Sequence, residues 1–508
     1  MTQTPTVGVK ESVSEMSAGD LMWISFDSSG DASISFNGVS ASAEFKLLLQ
    51  STAQQDTSYT FGVGNIAVSP DFTLPDPAAS ESEENPGEFF HSLMREEEKW
   101  LSETEQESID AAYVKSISST SVAKTIPVGK LESFRVLSSL SSTAQYTTVL
   151  AEAKCVQGEV AVYVDTRMEG SSALTSADIS TLCSMYATDV VADKNIFGAY
   201  PDSNEDGAVV ALLTPAVNEL GASGGGIITG FFYAGDLFSR SDSIPASNER
   251  EIVYLMVPDP NGVYGTAISN SFAMSNLLPA VFAHEVQHLI SYHQHVFVSG
   301  GSSEENWLNE GLSHFAEDVN GRGMENPSRY DLTLSSLPSI SLVASGSPNL
   351  QERGASFMFI RFLYEQAPNA TTFLQNIVQT NKRGVANVEN AFAGTSTDFD
   401  EFEEFLKRWG VALTLTDTGL TTDSRFIYDA RTTHSTGEWE GVCMICDAED
   451  GRGTVLTGPT TTTYSSSTTL TVAGSGTRIL EISDPPSTLD IEAANTTSAM
   501  QGVLIRVE

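Results

Sequence analysis

Basic residues are scarce in this sequence, and their scarcity argues against two classes of partner. Among 508 residues there are 26 Lys and Arg against 66 Asp and Glu, which gives a formal net charge of −40. Nucleic acid and anionic membrane surfaces attract proteins mainly through clustered positive charge. We therefore expect neither as a partner. The acidic residues are spread along the chain, as on the solvated surface of a protein in an extracellular or saline setting.

Long apolar runs are also missing. The run Phe357–Ile360 is ended by Arg361, and no other run approaches the length of a membrane span. The N-terminus has no basic region followed by an apolar core, which a secretory signal segment requires. Because a secreted protein needs such a segment, we expect that it has been removed from the sequence that begins at Met1.

Cysteine is rare, with four residues that allow three disulfide pairings. We prefer Cys155 with Cys183 and Cys443 with Cys446. The alternative is that the Cys443-Met-Ile-Cys446 spacing forms a redox-active pair or half of a metal site. Structural disulfides form in oxidising compartments, so the preferred pairing predicts a secreted or cell-surface protein.

Histidine is scarce too, but its distribution is uneven. Only seven histidines occur in the chain, and five of them fall within one short window. Chance explains such clustering poorly, so the window is the first place to look for chemistry. The five are His284, His288, His293, His295 and His314.

The segment His284-Glu285-Val286-Gln287-His288 has the spacing of a helical metal site. On a helix its two histidines lie four residues apart on one face, and Glu285 borders that face. Glu310, on a second predicted helix, is the natural third ligand. Three ligands leave the fourth tetrahedral position of zinc free for water, as in a catalytic site. The pattern therefore predicts one catalytic Zn²⁺ with Glu285 as general base.

Both segments favour helices. Ser275 and Asn276 are N-cap candidates ahead of an apolar face, and Gly311, directly after Glu310, allows a close approach of helices. The apolar residues of the first helix are Leu277, Leu278, Val281, Phe282, Leu289 and Ile290.

These motifs resemble those of the gluzincin clan of zinc metallopeptidases, and the wider pattern is similar to the hyicolysin-type family. The likeness covers roughly residues 120 to 415 and includes Phe197–Asp202, Gly225–Tyr233, Ser247–Leu255 and Gly354–Phe357. It implies a zinc endopeptidase in which His284, His288 and Glu310 bind the metal and Glu285 is the base.

The sequence departs from that resemblance in two places. Relatives in the clan commonly use a Tyr or His on a later helix to stabilise the oxyanion, and here the candidates are Arg353 and Tyr330. Where an Asp often orients a zinc-bound histidine, this chain has His314. Ligating histidines normally need such a partner. The candidates for that role are Ser313, Glu317 and Asp318. We expect His293 and His295 to be loop residues and not ligands.

Two glycine-containing segments bear on whether the predicted enzyme is an endopeptidase or an aminopeptidase. Aminopeptidases of the clan place a Gly-x-Met-Glu-Asn strand before the zinc helix, whereas Gly323–Asn326 follows Glu310 and is predicted to be a turn. Gly224–Phe232 lies where an edge strand pairs with an extended substrate. Endopeptidase is therefore favoured. The alternatives are an aminopeptidase of the same clan and a non-catalytic, adhesin-like binding module on a metallopeptidase fold.

A second metal site is a weaker prediction. Asp202, Asn204, Asp206 and Gly207 match the first half of a calcium loop, but the twelfth position is Leu213 instead of a bidentate Glu. Two interpretations stay open: a calcium ion bound by Asp202, Asn204 and Asp206, or a capped turn without a metal.

The predicted fold class is α+β, with a gluzincin-like catalytic domain of two lobes, one a mixed β-sheet and one helical, flanked by β-sandwich-like domains. The helix that begins near Asn85-Pro86 has an apolar stripe and glutamates predicted to face water; it is either a strap between domains or a propeptide. We expect a monomer that acts on proteins or peptides. The predicted divisions are 1–80 (β-domain), 81–118 (linker helix), 119–418 (catalytic domain) and 419–508 (β-domain).

Overall fold

The computed structural model of the chain describes residues 7–64, 86–105, 126–343, 346, 348–393, 400–495 and 497–508. The fold is of mixed α and β structure, as predicted. The predicted domain divisions at 80/81 and 118/119 lie outside the described residues. None of the helices in the described part combines the length and the apolar character that crossing a bilayer requires.

A six-stranded mixed sheet forms one side of the central part of the molecule. Its strand order is β5-β6-β7-β8-β10-β9, in which β7, β8 and β10 run parallel and β9 is an antiparallel edge strand. Strands β7 and β8 are buried along their whole length, as their nearly continuous apolar sequences require. The six strands are β5 (Leu131–Leu137), β6 (Tyr146–Gln157), β7 (Val160–Asp165), β8 (Val209–Leu213), β9 (Gly230–Phe232) and β10 (Ile252–Leu255).

Eleven α-helices are described, and most lie in the second half of the central part. Helix α5 is buried on all sides and packs against β9, β10, α2 and α6. The ring of Tyr186 on α2 stacks on Phe282 of α5 at 3.9 Å between centroids. The helices are α1 (Pro86–Thr104), α2 (Ser176–Phe197), α3 (Pro215–Ser223), α4 (Asn270–Phe272), α5 (Leu278–Tyr292), α6 (Asn306–Val319), α7 (Asn326–Ser336), α8 (Leu350–Gln366), α9 (Ala370–Val378), α10 (Gly384–Phe392) and α11 (Phe402–Leu415).

The predicted start of the motif helix is wrong. Ser275 and Asn276 lie inside a π-helical turn, Ala273–Leu277, that joins α4 to α5. The cap is Ser269, whose hydroxyl accepts a hydrogen bond from the backbone N–H of Phe272 at 3.2 Å. The amide of Asn276 instead donates to Glu325 and to the carbonyl of Asp450, so a tertiary contact uses the group that local capping would have used.

The predicted N- and C-terminal β-domains are not separate. Strands from both ends of the chain alternate within the same two sheets, with orders β1-β19-β3-β17-β15 and β16-β4-β18-β2. Antiparallel pairing of β3 with β17 and β19 places Leu48 opposite both Ile479 and Val503. Neither end has enough apolar strand surface to close a sandwich alone. The strands are β1 (Leu21–Ile24), β2 (Ala32–Ser35), β3 (Phe45–Ser51), β4 (Ser58–Gly64), β15 (Thr462–Thr463), β16 (Ser467–Ala473), β17 (Thr477–Ile482), β18 (Thr488–Ala493) and β19 (Met500–Arg506).

This sandwich is attached to the central part through a polar contact as well as apolar packing. Buried Gln50 on β3 donates to the carbonyl of Leu406 on α11 at 2.8 Å. Two small hairpins follow α11: β11 (Thr432–Thr433) with β12 (Trp439–Glu440), and β13 (Ile445–Asp447) with β14 (Val455–Thr457).

The preferred disulfide pairing is confirmed. Cys155 on β6 is bonded to Cys183 on α2, and Cys443 is bonded to Cys446 beside β13. The first bond ties the sheet to a helix across 28 residues of sequence.

Candidate metal centre

The two histidines of the motif point their Nε2 atoms at the same place. His284 and His288 lie one turn apart on α5, and their Nε2 atoms are 3.1 Å from each other. Both side chains are buried. A helix of small and apolar residues positions them, because every other face of α5 is occupied by packing against the sheet and the neighbouring helices.

Glu310 on α6 completes the cluster. Its carboxylate oxygens lie 3.5 Å from Nε2 of His284 and 3.6 Å from Nε2 of His288. Helix α6 comes close to α8 at Gly311, where an added Cβ would lie 3.0 Å from atoms of Ser356. The expectation that Gly311 permits close helix packing is thus confirmed. Among the described residues, neither oxygen of Glu310 has a hydrogen-bond partner.

The three donors fit a small divalent metal. Bonds of about 2.0 to 2.2 Å in a tetrahedron put ligand atoms about 3.3 to 3.6 Å apart. The observed separations are 3.1, 3.5 and 3.6 Å. Buried carboxylate oxygens without partners are costly unless a cation or donor satisfies them. His284, His288 and Glu310 therefore form a buried group able to hold a metal ion.

Glu317 orients His284 through Nδ1, the ring nitrogen that does not face the cluster. One of its oxygens accepts hydrogen bonds from Nδ1 of His284 and from Nδ1 of His314, both at 2.8 Å. A proton fixed on Nδ1 leaves Nε2 of His284 as the metal-binding nitrogen. The side chains of His284, His314 and Glu317 also lie close enough together to form a ligand-type group of their own. Because that group shares His284 with the first, we interpret it as the outer layer of one site.

His288 has two neutral partners on its other nitrogen. Nδ1 lies 3.1 Å from Oδ1 of Asn309 and 3.1 Å from Oγ of Ser313. The Ser313 hydroxyl donates to Oε1 of Gln287 at 2.6 Å, so its oxygen and the side-chain oxygen of Asn309 both act as acceptors toward the His288 Nδ1 proton. Of the three predicted partners, Ser313 and Glu317 contact the histidines. Asp318 forms an ion pair with Arg361 at 2.8 Å instead.

Glu285 has one anchored oxygen and one without a partner. The backbone N–H of Phe232, on the edge strand β9, donates to Oε2 of Glu285 at 2.8 Å. Oε1 has no hydrogen-bond partner among the described residues. Burial raises the pKa of Glu285, against the opposing effects of His284 and Arg95. A carboxylate held in this way is suited to taking up a proton.

The charged neighbours at the site shift the pKa values of the three candidate ligands in different directions. Burial raises the pKa of Glu310, but the charge of Arg353 and the contact with His284 outweigh it and hold that pKa well below its usual value. Burial would lower the pKa of His284, yet the nearby carboxylate of Glu310 and the hydrogen bond to Glu317 raise it to about 9. Burial, with the charge of Arg95, lowers the pKa of His288 well below its usual value, so Glu310 is ionised and His288 neutral, as metal ligands have to be.

No protein-family model and no curated protein matches this chain. The proposal for the site therefore depends on its own geometry and on the motif pattern.

Of the other residues singled out from the sequence, some lie beside the cluster and others lie away from it. Nη1 of Arg353 lies 3.3 Å from Oε2 of Glu310, whereas the hydroxyl of Tyr330 faces Sγ of Cys443 at 4.0 Å. His293 and His295 are buried in a π-helical continuation of α5, His293–Val298, and not in a loop. They contact the carbonyl of Ala199 and the carboxylate of Glu304, away from the metal cluster.

Two further segments have the local structure that the sequence predicts. Gly323–Asn326 forms a turn that leads into α7, with Glu325 at the helix cap position. Strand β9 is the edge strand expected in the Gly224–Phe232 region, although it is short and begins at Gly230, because Gly224 ends helix α3.

Asp206 of the suggested calcium loop is engaged by a protein cation. Nη2 of Arg250 lies 2.6 Å from Oδ2 of Asp206. Asp202 and Asn204 accept hydrogen bonds from backbone N–H groups of the same loop, as a capped turn does. Calcium binding there stays a prediction.

Helix α1 contributes polar residues that sequence reasoning did not place at the site. Arg95 and Glu98 are buried, and Nε of Arg95 lies 3.9 Å from Oε1 of Glu310. The prediction that the glutamates of this helix face water is wrong for Glu98. The apolar stripe predicted from the sequence consists of Phe89, Phe90, Leu93, Met94, Trp100 and Leu101. It is too wide, since Phe89 and Trp100 are exposed. The available signal was helical spacing: His91, Arg95 and Glu98 are four and three residues apart, which places them on one side of the helix.

Proposed function

We propose that this protein is a secreted, zinc-dependent endopeptidase. The observation that carries the proposal is the convergence of His284, His288 and Glu310 at zinc-ligand spacing, beside a buried Glu285 that has one unpaired oxygen. We propose further that the six-stranded sheet and the helices around α5 are the two lobes of a gluzincin-like catalytic domain. The two disulfides support an extracellular location.

A zinc ion held by His284, His288 and Glu310 would polarise a substrate carbonyl and make a nearby water more acidic. Glu285 would take a proton from that water through its unpaired Oε1 while the water oxygen attacks the carbonyl carbon. The carbon–nitrogen bond then breaks as Glu285 delivers the proton to the leaving amine. The products are a carboxylic acid and an amine, and no covalent enzyme intermediate is formed.

The backbone of β9 supports the endopeptidase assignment. Because β9 is the edge of its sheet and its Phe232 N–H fixes Glu285, an extended substrate paired with this strand would lie beside the base. Arg353 is the favoured oxyanion donor, since it is the candidate beside Glu310 and its Nη2 has no partner among the described residues. A strand pairing with mid-chain backbone does not require a free substrate amine.

The proposal is tested by zinc content and by casein hydrolysis, measured for the wild type and for Glu285→Gln. We expect about one zinc per chain in both proteins. Hydrolysis should fall on the order of 100-fold or more in the variant, because general-base catalysis contributes that much. Equal hydrolysis by the two proteins, or no bound zinc in the wild type, would overturn the proposal. Faster cleavage of free-amine peptides than of N-blocked peptides would favour the aminopeptidase instead.

A further inference from the structure

One face of helix α1 is buried against the candidate metal centre, although α1 belongs to neither the sheet nor the helices that build that centre. Phe90, Met94 and Leu101 on this face have exposed fractions of 0 to 2%. The opposite face is open, with Phe89 exposed to 44%. A helix buried on one side in this way is firmly docked by apolar contact.

The same face brings charged groups to the metal ligands. Arg95 forms a buried ion pair with Glu98 at 2.8 Å, and its Nε approaches Oε1 of Glu310. Oε2 of Glu98 in turn accepts a hydrogen bond from Asn309, the partner of His288. The guanidinium of Arg95 therefore lies next to a carboxylate that the metal would need.

His91 brings a second group of α1 to this place. His91 precedes Arg95 by four residues on α1, so the two side chains lie on the same side of the helix. Its Nδ1 is buried and has no hydrogen-bond partner among the described residues. Burying such an atom is unfavourable and is tolerated here only because the rest of the helix face is docked.

Helix α1 also covers the edge of the sheet where a substrate would pair. The ring of Phe90 packs edge-to-face on Phe231 of β9, with centroids 5.0 Å apart. Phe231 precedes Phe232, whose N–H fixes the base. A groove of about 470 Å³ beside α1 is lined in part by Arg95, Lys99 and Glu305, but none of the motif residues lines it.

The result is a site closed to substrates. Glu285, His288 and Glu310 have exposed fractions of 0%, and His284 of 4%. A peptide bond has to reach all of these residues to be hydrolysed. Since α1 contacts both the ligand Glu310 and the edge strand, it lies where a substrate chain would have to lie.

We propose that α1 is an inhibitory segment that fills the substrate cleft of its own chain and has to leave before a protein substrate binds. This inference rests on the proposed peptidase function. The shielding of the metal centre by α1 can nevertheless be measured without any assay of hydrolysis. The first measurement is the rate at which the chelator 1,10-phenanthroline removes zinc from the full chain. Casein hydrolysis is the second.

Two matched substitutions on α1 distinguish a loss of helix docking from the general effect of removing a phenylalanine ring. Phe90→Ala removes the buried ring, and Phe89→Ala removes an identical ring from the exposed face. Removing a buried phenylalanine weakens docking by enough to raise zinc removal on the order of tenfold or more. The rate for Phe89→Ala should stay within about twofold of wild type. Equal rates for the two variants would overturn the inference.

A disulfide that holds α1 in place guards against a general loss of stability in Phe90→Ala. The backbone N–H of Ser303, just before α6, donates to Oγ of Ser102 on α1 at 3.2 Å. In the double variant Ser102→Cys with Ser303→Cys, oxidation should slow zinc removal and casein hydrolysis on the order of tenfold, and reduction by a phosphine should restore both. Wild type treated with the same phosphine controls for the native disulfides.

The outcomes separate the two proposals. Identical zinc removal and hydrolysis in the oxidised and reduced double variant would overturn the inference and leave the peptidase proposal intact. If Phe90→Ala loses zinc faster while no variant hydrolyses casein, the shielding by α1 is supported and the peptidase proposal fails.

Discussion

Glu317 supplies the carboxylate that orients His284, seven residues after Glu310 instead of the four that the resemblance implies. Positions four and seven residues along a helix share a face, so a carboxylate two turns away reaches the same histidine. His314 occupies the nearer position and binds the same carboxylate oxygen of Glu317. The departure at His314 therefore leaves the histidine with a carboxylate partner.

Replacing Glu317 by Gln should weaken zinc binding about 10- to 100-fold, the usual effect of removing such a partner. The amide removes the negative charge that supports the Nδ1 proton of His284. Zinc affinity is measured by competition with a chelator of known affinity. Asp318→Asn is the matched control, because Asp318 is the next buried carboxylate on α6 but pairs with Arg361. An unchanged zinc affinity in Glu317→Gln would contradict the role assigned here.

Two contacts at the site show the limit of what the motif alone can predict. The spacing of His284 and His288 predicts a helix face that could hold a metal, because side chains four residues apart lie next to each other on a helix. The anchoring of Glu285 by the Phe232 N–H joins segments 53 residues apart, and local spacing carries no information on such a contact. The contact of Arg95 with Glu310 is of the same kind.

Helices α6 and α8 are held close by a single glycine. A side chain at Gly311 would meet the backbone and Cβ of Ser356 at 3.0 Å, so the distance between the helices depends on its absence. Glu310 and Arg353 lie on these two helices, and their 3.3 Å contact depends on the same spacing.

The substitution Gly311→Ala should push α6 away from α8 and lower the free energy of unfolding by about 1 to 3 kcal/mol. Zinc affinity should fall with it, because Glu310 moves with α6. Both quantities are measured by urea unfolding and by chelator competition. Gly346→Ala is the control: its backbone φ is ordinary for an L-residue, and an added Cβ there meets no atom of the described residues within 4 Å. Should both variants retain wild-type zinc affinity, the close packing would not be what places Glu310.

Helix boundaries were harder to predict than helix positions. The apolar spacing from Leu277 to Ile290 correctly predicts a buried helix, because the pattern follows from which faces are packed. Its start is wrong because α4 and a π-helical turn extend it backward to Asn270, and the group expected to cap it, Asn276, is used by Glu325 and Asp450. Tertiary partners override local capping preferences in such cases.

The β-sandwich joins the two ends of the molecule. Strand β3 has its neighbours β17 and β19 from the far end of the chain, more than 400 residues away. The core between its sheets includes Leu47, Leu49, Leu480 and Leu504, drawn from both ends. Either half by itself would leave an apolar sheet face in water.

Ending the chain at residue 461 should therefore unfold the N-terminal strands as well. The shortened chain should aggregate or bind a dye for exposed apolar surface, because β3 and β4 lose their neighbours. Co-expression of residues 462–508 as a separate segment should restore solubility. A shortened chain that stays soluble, with its strands 21–64 protected from proteolysis, would mean that the N-terminal strands fold independently.

The sequence by itself determined the candidate metal ligands, the mixed helix and strand content and the buried helices, because these follow from spacing within short segments. The tertiary structure alone decided that the two ends share one sandwich, that Glu317 and Phe232 fix His284 and Glu285, and that α1 lies on the site. Local spacing constrains which residues share a face of one element. Which elements meet depends on the burial of apolar faces across the whole chain, and one sequence read segment by segment does not contain that pairing.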